Sequence, residues 1–171
     1  MASPPLVQWI DLLPDELGRT LVDRRRAMAA KATGRVLDLG EWNDHLPSYR
    51  TDEVDVTRDI DDPGPFDTIL SFIRTPYVPS FDGYLDSLLD RLADDGRIGF
   101  LEPVCRPGRG GGLLAFGGRF ARVGGLHLDR DIPHRIREHG LIVTDVDRFE
   151  VRSVAAPFRP FVEAWARRPI S

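Results

Sequence analysis

Residues 66–104 read FDTILSFIRTPYVPSFDGYLDSLLDRLADDGRIGFLEPV, and this stretch predicts a strand, a helix and a second strand. Its first segment, residues 66–73, is apolar enough to lie inside a parallel sheet. Ser80 can cap a helix whose apolar side chains recur at helical spacing, namely Phe81, Tyr84, Leu85, Leu88, Leu89 and Leu92. A turn at Asp95-Gly96 then leads into the second strand at residues 97–104. Such a unit favours the α/β class, with right-handed parallel crossovers.

The rest of the chain continues this alternation. Upstream, a proline and two acids at residues 14–16 begin a helix, and strands are predicted at 35–39 and, more weakly, at 52–56. Downstream, Asp131 begins a short helix that Gly140 ends, and residues 141–151 and 160–169 read as two final strands. We therefore expect an N-terminal helical segment at 1–33 and one α/β domain at 34–171, with a sheet of about six strands.

Composition excludes several classes of protein. A single cysteine, Cys105, excludes an intramolecular disulfide framework and fits a reducing compartment. No apolar run approaches the length of a membrane span, and no basic region precedes the short N-terminal apolar run, so we expect no membrane segment and no secretory signal. The net charge of −4 gives no overall attraction to nucleic acid. Lys31 is the only lysine among 23 basic residues, a bias typical of a GC-rich genome, and we expect a cytoplasmic bacterial protein.

The order of the segments resembles the class I S-adenosylmethionine (SAM)-dependent methyltransferases. The most similar group is the small-molecule one related to the ubiquinone and menaquinone biosynthesis methyltransferases. The matching pieces run from GRVLDLG at residue 34, through PFDTILSF and GRIGFLEPV, to PFVEAWARRP at residue 160. The resemblance implies a Rossmann-like fold whose SAM site lies at the carboxyl ends of the first strands. It also implies a Gly-x-Gly-x-Gly loop after the first strand, an acid that binds the ribose after the second, and a third strand beside the adenine.

Four residues are implied as cofactor ligands by this resemblance: Asp38, Gly40, Glu41 and Asp55. Asp59 is a second candidate for the ribose acid, and both aspartates also read as members of a solvated acidic stretch. The sequence predicts no metal site, because its histidines lack the spacing of zinc ligands and the acidic stretch matches no cation-binding loop.

Three further residues are candidates for catalysis: His127, Arg74 and Glu102. His127 lies in a segment that resembles the family's substrate opening, where a histidine can act as a general base. The alternative is an incidental histidine beside a helix cap at Asp129 or Asp131. Arg74 and Glu102 follow neighbouring strands, and a buried contact between them is the structural alternative. A glycine- and arginine-rich stretch at 106–125 is either a solvated loop or a surface for an anionic ligand.

Two departures from the family pattern concern the cofactor. Trp42 and Asp44 stand where the second and third glycines belong, so we expect the indole to occupy cofactor volume, and Glu41 and Asp44 to add negative charge near the methionine carboxylate. Between the second strand and Asp67 only residues 58–66 remain, too few for a helix, a strand and a connection. We therefore expect the third strand and its flanking helices to be missing.

Both losses affect the same ligand. They predict a methyltransferase-like pseudoenzyme with a degenerate SAM site, non-catalytic or repurposed as an accessory or binding subunit. Such a protein would pair with itself or with another protein through the sheet edge that the missing strand leaves open. It could also bind a small-molecule ligand. The alternative is an active SAM-dependent small-molecule methyltransferase with an altered cofactor loop. RNA binding through residues 106–125 is a weaker reading, because the whole chain is acidic.

Overall fold

A computed structural model of the protein describes residues 15–50, 52–104, 127, 130–151 and 160–170. Three helices and six strands follow one another in these ranges, in the order α1 (Asp15–Lys31), β1 (Gly34–Asp38), β2 (Val54–Thr57), β3 (Phe66–Phe72), α2 (Phe81–Leu89), β4 (Leu92–Pro103), α3 (Ile132–Glu138), β5 (Ile142–Glu150) and β6 (Pro160–Arg167). Short 3-10 turns lie at Leu46–Ser48 and Thr75–Tyr77.

The six strands form a single sheet in the order β2-β1-β3-β4-β6-β5. The pairs β2–β1, β1–β3 and β3–β4 are parallel, whereas β6 runs antiparallel to both of its neighbours. The predicted α/β class and the sheet of six strands are therefore confirmed. The carboxyl ends of β1, β2, β3 and β4 lie along one edge, and that edge carries most of the residues predicted to act on a ligand.

Local signals position the helices as the sequence predicts, but one boundary differs. The Ser80 hydroxyl accepts a hydrogen bond from the amide of Gly83, and Asp131 caps α3 in the same way. The apolar pattern predicts that α2 reaches Leu92. The helix instead ends at Leu89, and Leu92 already pairs with Phe66 in the sheet. The carbonyl of Arg91 accepts the Phe66 amide at 2.8 Å, which draws the chain into β4 ahead of the expected turn.

Apolar side chains alternate between the two faces of the sheet and form two cores. On one face α1 buries Leu21 and Met28 against Val36, Leu70 and Leu101. On the other face α2 and α3 cover a second cluster, which includes Leu37, Ile69, Leu85, Phe100, Ile136 and Val162. Strand neighbours such as Phe100 and Leu101 therefore belong to different cores, as the two-residue repeat of a buried strand requires.

The connection between β2 and β3 is shorter than the family pattern. Residues 58–65 form neither a helix nor a strand, and β2 is the terminal strand of the sheet. The predicted absence of a third strand is therefore confirmed. Val54 and Val56 pack toward the α1 face, whereas Asp55 points to the opposite face and is exposed. In the described part of the chain, no helix is long and apolar enough to cross a membrane.

Candidate functional site at the carboxyl edge of the sheet

The turn after β1 is built around the carboxylate of Asp38, the last residue of that strand. Asp38 is 1% exposed. One carboxylate oxygen accepts the amide of Gly40 at 2.8 Å, and the other lies 2.6 Å from His45 Nε2 and accepts the Tyr49 hydroxyl at 3.1 Å. Burial, and then the neighbouring Asp38 charge, raise the pKa of the Tyr49 phenol. Asp38 thus organises the turn from inside the protein.

Gly40 is required by close packing. A Cβ at this position would lie 2.8 Å from the Phe72 ring and 3.0 Å from the Asp38 carboxylate. Any larger residue would displace the turn from the end of β3. The first glycine of the family's loop therefore has a packing role here, whatever the loop binds.

Arg25 on α1 holds the part of the loop that contains the two replaced glycines. Its side chain is buried, donates to the Asp44 carboxylate at 2.6 Å, and places its guanidinium carbon 4.6 Å from the centre of a Trp42 ring. Burial alone would raise the pKa of the Asp44 carboxyl, but the hydrogen bond and charge of Arg25, with a contribution from His45, hold that pKa below its ordinary value. Arg26 adds a hydrogen bond of 3.1 Å to the Asp44 carbonyl.

Two further arginines hold the remaining residues of the loop. Arg58, directly after β2, donates to the carbonyl of Gly40 and, at 2.6 Å, to the side-chain oxygen of Asn43. Arg74, at the end of β3, pairs with the Glu41 carboxylate at 3.1 Å. Each residue from 40 to 44 thus contacts an arginine from another element, and we call this arrangement the arginine clamp.

Glu102 lies at the carboxyl end of β4, on the other side of the Arg74 turn. It is fully buried and accepts hydrogen bonds from the hydroxyls of Ser71 and Thr75 and from the amides of Arg74 and Thr75, at 2.8 to 3.1 Å. Burial raises the pKa of Glu102 to about 7 even though these hydrogen bonds lower it. Ser71 also lies 2.9 Å from the Tyr84 hydroxyl, and burial followed by the Glu102 charge raises the pKa of that phenol. Glu102 and Arg74 are in contact, but through the Arg74 amide and not through its guanidinium.

The turn that Glu102 holds has an unusual backbone. Ile73 has a φ of 54°, a left-handed conformation that is rare for a β-branched residue. Its amide donates to the Leu101 carbonyl at 2.9 Å, and Glu102 binds the next two amides. The surrounding hydrogen bonds therefore keep the turn in a conformation that would otherwise cost on the order of 1–3 kcal/mol.

His127 and Arg130 contact the same turn from the far side. The His127 amide donates to the carbonyl of Pro76 at 2.8 Å. Arg130 donates to the carbonyls of Thr75, Val78 (2.6 Å) and Pro79 (3.2 Å). The three predicted catalytic residues thus lie around one turn, although these contacts involve the backbone of His127. Cys105, Asp129 and the stretch 106–125 lie outside the described residues.

The four predicted cofactor residues do not form one group. Asp38, Gly40 and Glu41 share the turn after β1, whereas Asp55 lies within β2, beside Arg35 in register, and its side chain bonds to no other described residue.

The roles of Arg25 and Arg58 were not predicted from the sequence, because nothing in the sequence distinguishes them from the many other arginines. In the described part of the chain, no cluster of three or more histidine, cysteine or acidic side chains could hold a metal ion.

Solved structures with a similar fold include class I methyltransferases and a cyclase. The chain is similar to the [4+2]-cyclase SpnF (TM-score 0.64, 14% identity, covering 91% of this chain and 82% of that one). It is also similar to the N-methyltransferase NodS from Bradyrhizobium japonicum WM9 in complex with S-adenosyl-L-homocysteine (0.56, 13%, 89% and 87%). A third is an O-methyltransferase family protein from Burkholderia thailandensis (0.57, 14%, 91% and 57%). No family model and no curated protein matches the chain. At these identities the similarity establishes a Rossmann-like methyltransferase fold.

Proposed function

We propose that this chain is a cytoplasmic, methyltransferase-like accessory or binding protein whose SAM site no longer accepts the cofactor. The observation that carries the proposal is the arginine clamp. In the family that the sequence resembles, glycines let the loop backbone approach the cofactor and offer it amide donors. Here the loop carries large side chains instead, and each of its residues from 40 to 44 contacts an arginine of this chain.

A bound cofactor would have to displace these contacts. Moving Asp44 away from Arg25 would leave a buried guanidinium without its carboxylate, which is costly in a protein interior. Repulsion between the loop carboxylates and the methionine carboxylate of SAM opposes binding less than the sequence indicates, because Arg74 and Arg25 neutralise Glu41 and Asp44. The larger barrier is therefore the rearrangement of the clamp.

The sheet edge supports the same proposal. The family's third strand flanks the adenine, and this chain has only residues 58–65 in its place. Arg58 directs its guanidinium into the loop at the point where the family places its ribose acid. The same fold carries a [4+2]-cyclase, so the scaffold does not by itself imply methyl transfer.

A second candidate is an active small-molecule methyltransferase of the ubiquinone-related group with an altered loop. The left-handed turn at Ile73 favours it, since unusual backbone conformations cluster at functional sites. Under this candidate Arg74, Glu102 and His127 would bind or activate the substrate, and SAM would supply the methyl group.

Restoring the glycines separates the two candidates. We expect no measurable SAM affinity in the wild type, and affinity for SAM in the double variant Trp42→Gly/Asp44→Gly, because the variant frees the backbone to approach the ligand. Asp94→Gly, an exposed position at the other end of the sheet, is the control. Calorimetry measures all three, with circular dichroism to show that each is folded. SAM binding by the wild type would overturn the proposal. No gain in a folded double variant would mean that the missing adenine-side strand, and not the clamp, abolishes the site.

A further inference from the structure

In the described part of the chain, no strand pairs with the outer edge of β2. Among these residues β2 pairs only with β1, on its inner side, and it is the terminal strand. The connection at 58–65 leads away to β3 and adds no strand outside β2. An unpaired edge of this kind can accept one more extended segment, whose backbone then supplies the missing partners.

Unbalanced negative charge surrounds this edge. Four exposed carboxylates on β2 and beside it form no ion pair with any described residue: Asp52, Asp55, Asp59 and Asp61. By contrast, Glu53 pairs with Arg50 at 3.2 Å, and Asp62 pairs with Arg35 at 2.8 Å. An incoming segment with arginine or lysine side chains would meet complementary charge here.

An exposed apolar side chain lies on the connection that follows β2. Ile60 is 49% exposed and stands between Asp59 and Asp61. Its carbonyl accepts a hydrogen bond from Arg91 at 2.8 Å, which fixes the backbone at this point. Interfaces commonly combine apolar and charged side chains, and this connection carries both next to the end of β2.

We propose that the β2 edge docks a basic, extended segment of a partner protein, which joins the sheet as an added strand. A second copy of this chain fits poorly, because a two-fold pairing of β2 with β2 brings the same carboxylates together. The inference rests on the proposed accessory role, which needs a partner. Its test does not involve SAM, so the two can fail separately.

The probe is a synthetic peptide of alternating arginine and valine with blocked ends, fluorescently labelled and followed by anisotropy in about 50 mM salt. We expect saturable binding to the wild-type protein. A second peptide, N-methylated at every residue, keeps every charge but loses the backbone donors on both edges, and it should bind at least about tenfold more weakly.

Charge reversal on the protein supplies the matched comparison. Asp55→Arg/Asp59→Arg should weaken binding of the unmodified peptide at least about tenfold, whereas Asp94→Arg/Asp95→Arg, at two exposed aspartates near the start of β4, should leave it unchanged. No binding to the wild type would overturn the proposal, and so would equal loss in both variants. Equal affinity for the two peptides would show adhesion by charge alone and would overturn strand addition, even if a variant failed to fold.

Discussion

At the scale of one residue, Arg25 holds both of the side chains that replace glycines in the loop after β1. An arginine that is 2% exposed is stable only when its charge is matched, and Asp44 at 2.6 Å supplies the match. The Trp42 ring contacts the same guanidinium, so the two residues that replace glycines share one partner. The replacements therefore depend on each other through α1.

Removing the Arg25 side chain should lower the stability of the folded protein. We predict that Arg25→Ala lowers the free energy of unfolding by about 2–3 kcal/mol, because it leaves Asp44 partly buried without its cation. Arg26→Ala is the control: Arg26 is exposed and reaches only the Asp44 carbonyl, so its loss should cost less than about 1 kcal/mol. Urea unfolding of the three proteins measures both values. Equal effects of the two substitutions would contradict the clamp.

Glu102 should make stability depend on pH in a defined window. Its pKa rises from 4.5 in the unfolded chain to about 7 in the folded protein, so between these values the folded state holds more protons. The contribution of Glu102 is therefore complete below pH 4.5 and is lost as the pH rises toward 7, a decrease on the order of 3 kcal/mol. We predict that Glu102→Gln, measured by urea unfolding at several pH values, lacks this decrease. Parallel profiles for the wild type and the variant would show that Glu102 does not titrate in that window.

Single residues were predictable from sequence where their role is local. Ser80 and Asp131 cap helices as expected, because a cap depends on residues three positions away. The Glu102–Arg74 contact was expected, but its form was not. The Arg74 guanidinium turns to Glu41, on a loop 33 positions earlier. Long arginine side chains reach partners that only the tertiary fold brings near, so Arg25 and Arg58 carried no local signal.

At the scale of elements, the sequence of β2 shows that only one of its two faces is covered. Val54 and Val56 face the core under α1, while Asp55 is exposed on the opposite face. This alternation is typical of a strand covered on one side only. The short spacing before β3 made the missing strand predictable. The end of α2 was not predictable, because pairing of Leu92 with Phe66 overrides the helical pattern.

Two glycines at element ends provide a matched test of local packing. Gly34, at the start of β1, and Gly140, after α3, have φ values of 64° and 77°. A Cβ on Gly34 would lie 2.1 Å from an Asp67 carboxylate oxygen that accepts the Arg35 amide, whereas a Cβ on Gly140 meets nothing within 4 Å. Both alanine variants should be destabilised by the backbone strain, and Gly34→Ala by at least about 1 kcal/mol more. Thermal unfolding measures the difference, and equal melting temperatures would be the contrary result.

At the scale of the whole molecule, charge argues against self-association through β2. The chain carries a net charge of −4, and on β2 and beside it lie four carboxylates that form no ion pair with any described residue. We predict that the purified protein is a monomer by light scattering in about 50 mM salt, where repulsion between like charges is weakly screened. A stable dimer that the Asp55→Arg/Asp59→Arg variant disrupts would show instead that the edge pairs with its own copy.

The short connection between β2 and β3 and the arginine clamp both concern one ligand, and calorimetry with S-adenosyl-L-homocysteine addresses that ligand most directly. The wild-type protein, titrated into the millimolar range, should give no saturable heat, because the arginine clamp holds the loop and residues 58–65 supply no strand to flank the adenine. A dissociation constant in the micromolar range would contradict the account and would make the protein a SAM-binding methyltransferase with an altered loop.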